Sequence, residues 1–66
     1  MSISRDQELW ACALEVERKY GGGASLHTSM EVDRLVAKGQ IDAAGVWREV
    51  QKRIEVMEAH ARRPAQ

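Results

Sequence analysis

The chain has 66 residues, and ten basic side chains balance ten acidic ones to give a formal charge of zero. That length allows one domain and lies near the lower limit for unaided folding, and a neutral chain offers no broad field to draw in DNA, RNA or an anionic membrane. Cys12 is the single cysteine, which excludes an internal disulfide and a cysteine-built zinc site and fits a reducing compartment.

No stretch approaches the ~20 apolar residues needed to cross a bilayer, and the opening residues MSISRDQE lack a signal-peptide core, so a cytoplasmic protein is expected. Two tryptophans and one tyrosine are the whole aromatic content. Ala, Glu, Arg, Val and Leu dominate, and all but Val are good helix formers.

A first helix is expected over residues 4–20. Ser4 and Gln7 form an S-x-x-Q capping box, each satisfying a backbone donor of the other. Leu9, Ala13, Val16 and Tyr20 then recur at the helical period, with Trp10 and Leu14 widening the stripe. Glu15 and Lys19 are spaced for an outer ion pair. Gly21-Gly22-Gly23 ends the run, the first glycine suiting the left-handed residue that closes a helix.

A second helix is expected over 24–38. Thr28-Ser29-Met30-Glu31 is a capping box that would start it at Thr28, whereas a start near Ala24 gives the longer helix preferred here. Val32, Leu35 and Val36 form its stripe, and Gly39 ends it after Lys38, a cation suited to the negative end of a helix.

The third helix, over 42–61, is the longest. Asp42 is its expected N-cap, with Ile41 and Val46 as a hydrophobic staple. Ala43, Trp47, Val50, Ile54, Met57 and Ala61 repeat as an unbroken heptad seam, with Glu49–Arg53 and Glu58–Arg62 as pairs outside it. Pro64 stops any helix, so residues 1–3 and 62–66 are expected to fray around a single helical domain.

Short connections favour an up-down-up three-helix bundle in which the first and third helices run the same way. Trp10 and Trp47 then share an end layer with Leu35 and Val36, and Val16, Tyr20, Ile54 and Met57 gather at the other end with Leu26 and Met30. The third helix, roughly 30 Å long against about 22 Å for the second, should overhang around Ile54, Met57 and Ala61. A second copy of the chain is the expected cover, since small scaffolds commonly need such help.

Few residues suggest chemistry. Cys12 has no linked base, and a small apolar filler is its plain reading. His27 and His60 could join Glu31 or Glu58 at a metal, but no third or fourth ligand is spaced to converge. The glycine triplet lacks the preceding strand and the lysine of phosphate-binding loops, so it reads as a turn. No catalytic residue, cofactor or small-molecule substrate is indicated, and an enzyme is not expected.

The two helices around Gly39 resemble a helix-turn-helix superficially, and Arg48, Lys52, Arg53, Arg62 and Arg63 would be its contacts to nucleic acid. Glu49, Glu55 and Glu58 interleave with those bases, as on an ordinary solvated face.

The run Leu9-Trp10-Ala11-Cys12-Ala13, then Val16-Glu17-Arg18 and the glycine after Tyr20, pairs with a later Ala44-Gly45-Val46-Trp47-Arg48-Glu49-Val50. With the turn Ala37-Lys38-Gly39, these motifs resemble a family of very small bacterial all-helical proteins, a domain of unknown function. The resemblance runs roughly from Glu8 to Ile54. It implies a compact helical fold and supplies no activity or catalytic residue. Relatives tend to show an acidic residue before the second helix and apolar residues in its first turn, where this chain has Gly23, His27 and Thr28.

The expected role is a non-enzymatic protein-interaction or regulatory module, acting as a homo-oligomer or adaptor. Trp47, Val50, Ile54 and Met57 are the candidate interface or core residues. The alternative is a small nucleic-acid-binding accessory protein using the bases of the third helix.

Overall fold

Ser4 starts the first element as the sequence requires: its hydroxyl accepts from Gln7 N–H at 3.1 Å and its own N–H donates to Gln7 Oε1 at 3.1 Å. From that capping box α1 runs Arg5–Tyr20. Gly21–Gly23 then makes one 3-10 turn, which leads directly into α2, Ala24–Ala37. α3 follows as Ile41–Ala61. This computed structural model describes residues 4–61, and among them every element is helical.

Gly21 has φ 55° and its N–H still donates to Glu17, while Ala24 N–H donates to Gly21. Helical bonding therefore passes through the glycines into α2. The described residues form two continuous helical runs, 5–37 and 41–61, rather than three helices separated by loops. The early start of α2 near Ala24 holds. Thr28 is consequently not a cap but a fully buried mid-helix residue, whose hydroxyl donates to Ala24 O at 3.2 Å and to Ser25 O at 2.9 Å.

α2 closes in a Schellman motif. Gly39, at φ 78°, donates to Val36 O at 2.9 Å, and Gln40 donates to Leu35 O at 2.8 Å. α3 then begins one residue earlier than expected. Gln40 O accepts from Ala44 N–H at 3.0 Å, so Asp42 lies inside the first turn instead of capping it. Ile41 and Val46 both stay exposed.

α2 and α3 pack as an antiparallel hairpin, while α1 meets α2 sparsely and packs on α3. Both halves of α1 address the same stretch of α3. Asp6 reaches Arg53, while Val16 shares a groove with Val46, Trp47 and Val50. α1 thus lies across α3 instead of running beside it, and the up-down-up layering does not form. Trp10 rests against the Arg53 guanidinium at 5.7 Å, whereas Trp47 packs on Val32, Leu35 and Ala44. Leu26 and Met30, expected inside, are 67% and 61% exposed because no helix among the described residues runs alongside that face of α2.

The second core cluster joins Leu9, Ala13, Ala24, Val50 and Ile54, flanked by Val16 and Met57. Ile54 is completely buried there. The expected overhang therefore does not begin at Ile54: the crossing of α1 covers it, and Met57 is half-buried beside it. Only Ala61, of the three residues named for that end, is exposed. The fraying expected for 1–3 and 62–66 lies outside the described residues.

Candidate functional site

Oblique packing of α1 on α3 leaves a furrow on one flank of their contact. Its mainly apolar half, about 280 Å³, is lined by Cys12, Glu15 and Val16 from α1 and by Val46, Trp47 and Val50 from α3. Cys12 and Val46 continue into a smaller hollow of about 120 Å³ with Arg5, Glu8 and Leu9. The heptad spacing puts Trp47 and Val50 on the α1 side of α3. The four-residue step from Cys12 to Val16 sets those two on one flank of α1. Cys12 is a free, exposed thiol.

Trp47 has a second neighbour. The His27 ring stacks on Tyr20 with centroids 4.0 Å apart and meets the Trp47 ring edge-on at 6.0 Å. One residue from each helix thus joins a single aromatic contact. The sequence put His27 near a carboxylate, Glu31, as a metal pair. Among the described residues no three His, Cys, Asp or Glu side chains converge on a metal-sized site. At the glycine triplet, Gly21 N–H already donates to Glu17 O and Ala24 N–H to Gly21 O.

Of the four candidate interface or core residues, the structure divides the roles. Val50 and Ile54 are core, Met57 flanks it, and Trp47 both packs on α2 and lines the groove. Cys12, Val16 and Val46 complete the groove and were missed as a group. Val46 lies off the heptad seam, and the oblique approach of α1 has no signature in periodicity.

Of the proposed nucleic-acid residues, Arg48 and Lys52 share one depression and Arg53 points elsewhere. Arg48 and Lys52 line a depression of about 370 Å³ between α2 and α3, shared with Ser29, Val32, Asp33, Gln51 and Glu55. Lys52 donates to Glu49 at 3.0 Å. Arg53 points toward α1, where Nη2 donates to Asp6 at 2.6 Å and Nη1 to Glu49 Oε1 at 3.2 Å and Glu49 O at 2.8 Å. Its side chain is only 15% exposed, and Nε is buried without a partner. Arg62 and Arg63 lie outside the described residues.

These contacts set the charge states. The Lys52 ammonium, then the Arg53 guanidinium, holds the Glu49 carboxyl below the usual glutamate range. Arg34, donating to Glu31 from Nε and Nη2, does the same there. Hydrogen bonding to Asp6 raises Arg53 above the ordinary arginine value. No helix among the described residues is long and apolar enough to cross a membrane.

A family model described as a family of unknown function, DUF6961, matches residues 5–62. No curated protein and no solved structure matches the chain.

Proposed function

We propose that this chain, which belongs to the family of unknown function DUF6961, is a non-enzymatic protein-interaction module acting as a homo-oligomer or adaptor. The observation that carries the reading is the open groove in which Cys12, Val16, Val46, Trp47 and Val50 present apolar surface between two helices. Its fitting occupant is the apolar stripe of a partner helix, because helices in grooves are read through side chains at this spacing. The rim carries both signs of charge, Arg5 against Glu8 and Glu15. A neutral, amphipathic segment suits it better than a polyanion.

On this reading the protein is a small bacterial, cytoplasmic module without a cofactor or small-molecule substrate. Neutral composition and the separation of Arg48 and Lys52 from Arg53 weigh against the nucleic-acid alternative.

The test is affinity capture from the protein's own cells, with and without nuclease, using the native chain and a Val46→Glu variant. Val46 is 37% exposed, so the variant keeps its fold. A specific protein that survives nuclease and is lost with Val46→Glu supports the groove. Recovery of nucleic acid alone, lost as salt rises, overturns it.

A further inference from the structure

The helical run 5–37 bends at one place, and what holds the bend is local. Gly21 is its only residue with positive φ, at 55°. A Cβ placed on Gly21, Gly22 or Gly23 would meet nothing within 4 Å, so no neighbouring side chain crowds the three glycines. Two contacts span it: Ala24 is buried with Leu9 and Ala13, and the Tyr20 ring stacks on His27. In a straight helix those two residues would stand about 10 Å apart along the axis, and the stack would be lost.

The buried contacts of α1 lie beyond the turn. Apart from Ala24, its partners are on α3: Leu9, Ala13 and Val16 join Val50, Ile54 and Met57, and Asp6 meets Arg53. None of these contacts depends on which copy supplies the helix.

We propose that α1 is an exchangeable arm, hinged at Gly21 and latched by Tyr20 on His27. In a pair of copies the hinge straightens, α1 and α2 become one helix, and each α1 docks on the α3 of the second copy. Every α1–α3 contact is regained there. The exchange costs the latch and the intrachain packing of Ala24 on Leu9 and Ala13, and gains regular helical bonding in place of a 3-10 turn. Zero net charge leaves no long-range repulsion between copies. The arm is independent of the groove reading, since Val46→Glu touches neither hinge nor latch.

Two variants of the full chain test it by light scattering and small-angle X-ray scattering over a wide concentration range. Gly21→Ala places an L side chain at a φ it rarely adopts and favours the straight helix. The expected result is a doubled mass and an elongated particle, with a continuous helix of roughly 50 Å. His27→Ala removes the latch twice per dimer and is expected to strengthen dimerisation about tenfold or more. Should Gly21→Ala fail to fold, His27→Ala decides. A folded Gly21→Ala that stays monomeric overturns the proposal, as does a His27→Ala variant that associates no more than the native chain. A compact, globular dimer overturns it too.

Discussion

Arg53 and Asp6 stand 47 positions apart in the chain, yet Arg53 Nη2 donates to Asp6 Oδ1 at 2.6 Å. Trp10 lies 5.7 Å from the same guanidinium, so one side chain of α3 holds two positions of α1. Arg53→Ala should therefore lower the urea midpoint and expose Trp10, shifting its emission to the red. Arg48→Ala, at an open site on the other side of α3, should do neither. Equal midpoints for the two variants would show that Arg53 does not anchor α1.

Among the described residues Ile54 is the one large apolar side chain with no exposure at all, and it sits where α1 crosses α3. Ile54→Ala should cost about 2–5 kcal/mol, enough to unfold a chain of this size. Leu26→Ala, on the uncovered face of α2, should stay within about 0.5 kcal/mol. Chemical denaturation distinguishes the two, and similar losses would place Leu26 inside.

The Thr28 hydroxyl donates to carbonyls that the helix already uses. Thr28→Val keeps the shape and removes a donor together with its need for a partner. The expected change is within about 1 kcal/mol of the native stability, read from urea unfolding. A much larger loss would mean that the back-bonded hydroxyl sets the course of α2.

Glu49 accepts from both Lys52 and Arg53, and its carboxyl is lowered. Its folded pKa lies below the unfolded one. The stabilisation is therefore complete above the unfolded value, about 4.3, and fades as pH falls through the lower folded value. Carboxyl NMR titration should find Glu49 titrating below an ordinary glutamate. Lys52→Met should raise it more than Arg53→Met does, because the Lys52 hydrogen bond is the larger cause. The reverse order would refute that assignment.

Local signals carried most of the helix assignment. The Ser4–Gln7 box, Gly39 after Lys38 and the 3.6-residue period place the elements within a residue or so. The arrangement was not legible, for an identifiable reason. Three glycines read as a break between helices, while the backbone uses them for one 3-10 turn that keeps hydrogen bonding going. The Thr28 box offered a later start that the longer reading rightly set aside, since a threonine that can cap can also donate backward within a helix. The heptad seam picked out Val50 and Ile54 correctly, but a seam is silent on the angle of its neighbour. Hence Cys12 and Val46, brought side by side by that angle, had no sequence signature as a pair.

The short connection at Gly39 also orders assembly. Three residues, Lys38 to Gln40, separate α2 from α3, so closing that pair fixes little chain. The Asp6–Arg53 contact must close a loop many times longer and draws its gain from a surface that exists only once the hairpin stands. α1 accordingly arrives last and leaves first. Amide protons of α1 are expected to exchange with deuterium through an opening that spares α2 and α3, giving a molecule this small two tiers of cooperativity.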